Sequence, residues 1–129
     1  MSAVVMARIA DLATAPIEGA TWRERLEEVM TRRFSAYEQV MAYRRAAQAH
    51  AHHSTVVQSN NETMRQHLRK TLAGLVPAHV RADRAAFEAL DMVLSIDAWI
   101  RLRIEQRLEP ARARAAVRRT VSALVGPEG

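Results

Sequence analysis

Three of the chain's five histidines stand close together and are the side chains best suited to metal chemistry. His50 and His53 would share a face of a helix, with His52 beside them. Imidazole nitrogens at that spacing could ligate a transition metal, with His67 approaching as a further ligand. The cluster has no defined carboxylate partner, so a solvated or capping cluster at a helix end is the favoured interpretation. We expect no metal and no cofactor, and keep a His-rich metal-responsive domain as an alternative.

Sequence motifs of known catalytic chemistry are missing. There is no Ser-centred glycine-rich elbow, no paired-carboxylate motif, no phosphate loop and no HExxH sequence. The cysteine count of zero excludes a disulfide framework, a thiolate metal site and a cysteine nucleophile. We therefore expect that the chain is not an enzyme.

Six methionines supply flexible, polarizable side chains of the kind that suits an adaptable apolar pocket. Positions on helical wheels select four apolar residues as candidate lining and two further residues as polar handles. These candidate ligand-binding residues are Met41, Met64, Leu68 and Met92, with Tyr37 and His67. The alternative for each methionine is ordinary core packing, and for Tyr37 and His67 a surface or half-buried position.

Composition indicates that helices position these residues. The chain has 129 residues, which is the size of one domain, with 49% hydrophobic residues and only four Gly and four Pro. So few turn residues argue against a β-sandwich, a barrel or a doubly wound α/β fold. The sequence predicts an all-α bundle of five or six helices.

Capping residues and helix breakers divide the chain. Thr21 with Glu24 forms a capping box, Asp83 is a good N-cap, and Pro110 suits the first position of a helix. A second possible capping box at Ser35 leaves open whether the helix from Thr21 breaks near Phe34. The other predicted helices cover residues 2–13, residues 60 or 61 to 75, residues 84–108, and residues 110–125, and the stretch 46–61 is the least regular.

The predicted helix over residues 84–108 has an apolar arc of about 220°, roughly twice what packing within one domain requires. A partner subunit is the simplest cover for the excess, and full burial of the helix is the alternative. The final helix adds apolar residues beside it, which predicts a four-helix homodimer interface. The predicted interface residues are Val93, Ile96, Ile100, Ile104, Val117, Val121 and Leu124. Within the arc, Asp97 could pair with Arg101, either as a buried pair or as an exposed one.

Charge and hydropathy set the expected surroundings. Net charge is +5, with one cluster of arginines over residues 112–119, for which a solvated helix face is favoured over a nucleic-acid surface. Arg8 and Asp11 interrupt the apolar N-terminus, unlike a signal peptide, and no uncharged apolar stretch is long enough for a membrane helix. We expect a soluble, cytoplasmic protein with no membrane partner.

Several stretches resemble the tetracycline-repressor (TetR) family of transcriptional regulators. Residues 87–91 (FEALD), 95–99 (SIDAW), 101–103 (RLR) and 106–110 (QRLEP), with the Ala-rich last helix, look like the C-terminal part of such regulators. Residues 19–26 (GATWRERL) look like the start of the ligand-binding domain, and residues 6–12 (MARIADL) like the helix that links it to the DNA-binding domain. The resemblance covers nearly the whole chain through soft helical patterns.

The resemblance implies an effector-binding and dimerisation domain over residues 16–129, preceded by a linker helix over residues 1–15. A small apolar or amphipathic effector would shift the arrangement of the two subunits. The helix-turn-helix domain with which such regulators begin is not found in this sequence, so DNA would be a partner only through a domain outside it. The alternative is a helical dimeric interaction protein without a ligand.

Overall fold

The computed structural model describes Val4, Ala7, Asp11, residues 15–47 and residues 55–127. Within these residues the chain is helical and contains no strand, which confirms the predicted all-α class. No described helix is both long and apolar enough to cross a membrane. Six α-helices and one π-helical segment are present in this part of the chain: α1 (Trp22–Ala47), α2 (Thr55–Leu75), α3 (Ala78–Ala82), α4 (Arg84–Val93), α5 (Ile96–Ile100), the π-helix (Arg101–Glu105) and α6 (Pro110–Val125).

The chain forms two compact units, and the division falls after Thr71, inside α2. The predicted division into a linker helix over residues 1–15 and an effector-binding domain over residues 16–129 stays a prediction. Much of the predicted linker helix lies outside the described residues, although Val4, Ala7 and Asp11 are helical.

Helix α1 begins with the predicted capping interactions. The Thr21 hydroxyl accepts a hydrogen bond from the Glu24 amide at 3.1 Å, and the Glu24 carboxylate accepts one from the Ala20 amide at 2.9 Å. The helix then continues unbroken through Ser35, so the open question of a break near Phe34 is answered. Its buried side chains each lie three or four residues from others along a single helical stripe, in which two pairs are adjacent in sequence: Leu26, Val29, Met30, Arg33, Phe34, Tyr37 and Met41.

Helix α2 begins earlier than its polar residues suggested. It starts at Thr55 and runs through Ser59, Asn60 and Asn61 to Leu75, so the predicted start near residue 60 is wrong and the predicted end is confirmed. Ser and Asn lower helix propensity by only about 0.5 kcal/mol each, too little to stop a helix. The histidine cluster of residues 50–53 lies outside the described residues.

Residues 84–108 do not form one helix, which corrects the prediction from the apolar pattern. Helix α4 is capped by Asp83, whose carboxylate accepts from the Ala86 amide at 3.2 Å, and it ends at Val93. Ser95 then caps α5, accepting from the Ala98 amide at 3.1 Å and donating to the Met92 carbonyl at 2.6 Å. The apolar arc of about 220° assumed an unbroken helix and therefore does not exist as one surface.

Helix α6 begins with Pro110 in its first turn and is followed by Gly126 at a φ of 80°, as predicted. Within the second unit α6 packs against α4, and α4 also packs against α3 and α5. The core of the second unit includes Leu90, Leu94, Trp99 and the α6 residues Ala113, Val117 and Val121.

Candidate functional site

An open apolar groove of about 480 Å³ lies on the second unit, between the α4–α5 region and α6. Its volume falls within the range of roughly 300–1,000 Å³ that is typical of small-ligand sites. Apolar and small side chains form most of its wall: Met92, Val93, Ala98, Leu102, Ala116 and Val117. Met92 stands out because 66% of its surface is exposed, although it is a large apolar side chain.

The π-helical segment shapes one wall of the groove. It continues directly from α5, and its wider turn is closed by the Gln106 amide, which donates to the Arg101 carbonyl at 2.9 Å. The Leu108 amide then donates to the Leu102 carbonyl at 3.0 Å. Arg101, Leu102 and Gln106 all line the groove, so the widened turn directly sets this wall.

Polar side chains also line the groove. Asp97, Arg101, Gln106 and Thr120 contribute to its lining, and the Thr120 hydroxyl donates to the Ala116 carbonyl at 2.8 Å. Asp97 is exposed, so it does not form a buried pair, and its pairing with Arg101 stays a prediction. The Arg101 guanidinium lies 3.6 Å from the Glu105 carboxylate, in a pair whose members are both well exposed. The groove therefore offers apolar contact with a mixed polar rim.

The predicted ligand-binding residues fall into buried and exposed sets. Tyr37 and Met41 are buried on α1, whereas Met64, His67 and Leu68 lie on α2 with Leu68 half-buried and His67 exposed. Met64 is 47% exposed, and such exposure does not suit the wall of an enclosed cavity. Met92 belongs to the open groove of the second unit. A ligand-binding role for the set stays a prediction.

The predicted dimer-interface residues also divide. Val117 and Val121 are only 1% and 3% exposed because they form part of the core of a single chain, although Val117 also contributes to the floor of the groove. A dimer-interface role for the set stays a prediction. Ile104 is exposed, and the remaining residues are half-buried: Val93, Ile96, Ile100 and Leu124.

Arg33 is a structural residue whose importance the sequence did not reveal. It lies in the apolar stripe of α1 and is only 5% exposed. Its Nη2 donates to the Leu68 carbonyl at 2.8 Å, which ties α1 to α2 within the first unit. A charged side chain at an apolar helical position was the available signal.

A second, open cleft of about 370 Å³ lies in the first unit. It is lined by Pro16, Glu18, Glu27, Glu28, Thr31 and Arg32. Among the described residues, no group of three or more His, Asp or Glu side chains is arranged to hold a metal ion. The cleft lies between α1 and the chain segment of residues 16–18 that runs alongside it.

The chain matches no protein-family profile, no curated protein and no solved structure.

Proposed function

We propose that this chain is a dimerisation and effector-binding domain of a transcriptional regulator of the tetracycline-repressor type. The observation that carries the proposal is the apolar groove of the second unit, with the exposed Met92 on its wall. The groove lies within residues 92–120, in the C-terminal region that carries the resemblance to these regulators. For the regulatory role, the only support is that sequence resemblance.

The groove and Met92 suit pairing with a second copy of the chain. In a two-fold symmetric interface the same patch of each subunit meets its own copy. A large exposed apolar side chain beside an apolar groove is self-complementary under that symmetry, because Met92 of each copy can enter the groove of the other. Methionine is flexible enough to fill such a groove. This interface replaces the one predicted from a continuous helix 84–108.

The dimer is tested by sedimentation velocity at micromolar concentration. We expect the wild-type chain to sediment as a dimer and Met92→Glu as a monomer, because a carboxylate in an apolar contact loses its hydration. Met92→Leu should remain dimeric. Since Met92 is exposed in the single chain, none of these variants should change the helical circular dichroism spectrum.

Met64→Glu is the matched control, because Met64 is also an exposed methionine but belongs to α2. It should leave the dimer intact. A wild-type monomer would overturn the dimerisation half of the proposal, and equal loss of dimer in both variants would overturn the assignment of the interface to the groove.

The effector half is tested with anilinonaphthalene sulfonate, an apolar anionic dye, as the probe. An effector that enters the groove competes there with Met92 of the other copy, so it must raise the dimer dissociation constant, and dimerisation must lower effector affinity by the same factor. We expect saturable dye binding that shifts the dissociation constant of the dimer at least threefold. Dye binding without any such shift would contradict a regulatory effector role.

A second candidate function is a monomeric small-molecule carrier or sensor, which the volume of the groove favours. In that case the wild-type chain is monomeric, the dye occupies the groove, and Met92→Glu weakens dye binding whereas Met64→Glu does not.

A further inference from the structure

We infer that residues 15–20 form a releasable strap along the first turns of α1, with Arg32 as its latch. All the bonds concerned lie within the first unit of one chain, so the inference does not depend on the proposed function. Loss of the latch would free Ala15 and Pro16 from α1 while the rest of the strap keeps its bonds.

Four charged side chains of α1 bind the backbone of the strap. The Arg32 guanidinium donates to the carbonyl oxygens of Ala15 and Pro16. The Glu28 carboxylate accepts from the Glu18 amide at 2.9 Å.

The other end of the strap is held in the same way. Arg25 Nε donates to the Gly19 carbonyl at 2.9 Å, and Arg25 Nη2 donates to the Ala20 carbonyl at 3.1 Å. Glu24 accepts from the Ala20 amide, as described for the start of α1.

The sequence spacing of the side chains explains how one helix holds the whole strap. Glu24, Glu28 and Arg32 are four residues apart, so they form one stripe along the first three turns of α1. Gly19 passes so close to α1 that a Cβ atom would lie 2.8 Å from the Arg25 nitrogen and from the Glu24 Cβ. Only glycine fits at that distance without a shift of the backbone.

Hydrogen bonds, rather than apolar burial, keep the strap in place. Pro16, Ile17 and Glu18 are exposed, and Ile17 is 39% exposed. Hydrogen bonds to charged groups are worth more than neutral ones, but each can be removed by one substitution. The attachment is therefore releasable without loss of the core.

Arg32 is the latch because it holds the N-terminal end of the strap by two successive carbonyl oxygens, those of Ala15 and Pro16. The planar fork of an arginine can satisfy two such acceptors at once. Movement of the third turn of α1 is thereby passed to Ala15 and Pro16.

Two nitroxide labels test the latch, because the chain has no cysteine of its own. Ile17→Cys and Ala42→Cys place one label on an exposed residue of the strap and the other on an exposed position of α1. Pulsed electron–electron double resonance is then recorded on labelled chain diluted with unlabelled chain, so that only distances within one chain contribute. We expect one narrow distance distribution in the parent and a distribution at least twice as wide in Arg32→Ala.

Arg45→Ala is the matched control, since Arg45 is an exposed arginine of α1 outside the strap contacts. It should leave the distribution narrow. Arg32→Lys keeps the charge but loses the fork, and should give an intermediate width. A broad distribution in the parent, or an unchanged one in Arg32→Ala, overturns the inference.

Amide exchange of Glu18 measured by NMR gives a second readout, which a merely unfolded variant would not reproduce. Glu28→Ala removes the acceptor of this amide and should speed its exchange about tenfold, whereas Glu28→Gln keeps an acceptor oxygen and should preserve protection. Amides in the middle of α1 should be unaffected in both. Equal exchange in Glu28→Ala and Glu28→Gln, or loss of protection throughout α1, contradicts the strap.

Discussion

A serine interrupts an apolar helical pattern at two places in this chain, and the outcomes are opposite. At Ser35, helix α1 continues without a break from Trp22 to Ala47. At Ser95, α4 has ended and a new helix begins. Each serine is followed within its next three residues by an acidic side chain, Glu38 in one case and Asp97 in the other. The local capping signal is therefore present at both sites and does not separate them.

The spacing of buried residues does separate the two sites. Along α1 the buried side chains on either side of Ser35 are Phe34 and Tyr37, three residues apart, so one straight helix buries both. Beyond Leu94 the next buried residue is Trp99, five residues on, and each is 1% exposed. Five residues of an unbroken helix would point these two side chains about 140° apart. A break between them allows both to be buried.

The largest expected effect comes from removing the side chain that requires the break. Trp99→Ala should lower the free energy of unfolding by about 4 kcal/mol, because it leaves a large cavity in the core of the second unit. Urea denaturation followed by circular dichroism measures the change. Trp22→Ala is the control, since Trp22 is only half-buried and stacks with Arg23 at 4.6 Å from its ring centroid. Similar losses in the two variants would contradict the role given to Trp99.

The fold class and most helix ends could be predicted from the sequence, because capping depends on neighbours in the chain. Thr21, Asp83 and Pro110 begin helices as expected. The break at Ser95 was missed because the wheel assumed a continuous helix, although the interval from Leu94 to Trp99 was visible in the sequence. Any apolar pattern that spans a possible cap should be tested for such an interval.

The site was less predictable than the fold. The groove depends on a π-helical turn over Arg101–Glu105, and no propensity scale distinguishes that turn from α-helix. Val117 and Val121 were assigned to a surface because helical position alone does not say which partner covers a face. The strap is held by hydrogen bonds from side chains to the backbone, and the only clue to it in the sequence is the spacing of four residues between Glu24, Glu28 and Arg32.

A pair of serine substitutions tests the comparison directly. Ser95→Ala removes the acceptor of the Ala98 amide and should lower the free energy of unfolding by about 1 kcal/mol. Ser35→Ala replaces an exposed residue inside a helix and should raise stability by about 0.4 kcal/mol, since alanine is the better helix former. Thermal and urea denaturation of both variants measure these two changes in the free energy of unfolding, which should have opposite signs. Equal effects would show that Ser95 does not act as a cap.

The last expected effect concerns Arg107, which follows the π-helix in the segment that begins at Ser95. Its φ is 56°, and among the described residues no other non-glycine residue has a positive φ. The left-handed conformation costs a side-chain-bearing residue roughly 1–2 kcal/mol, and glycine avoids that strain. Glycine also gains freedom in the unfolded chain, which removes about 0.7 kcal/mol of the benefit.

Arg107→Gly should therefore raise the free energy of unfolding by about 0.7 kcal/mol, the difference between these two terms. Arg119→Gly, at an exposed position inside α6, should instead lower it by about 1 kcal/mol, because there the native backbone already suits any residue. Arg107→Ala separates strain from side-chain contacts, since alanine keeps the Cβ atom and should leave stability near the wild-type value. If Arg107→Ala and Arg107→Gly both lost stability, contacts of the arginine side chain would outweigh the strain, and the turn before α6 would be held by that side chain and not by its backbone.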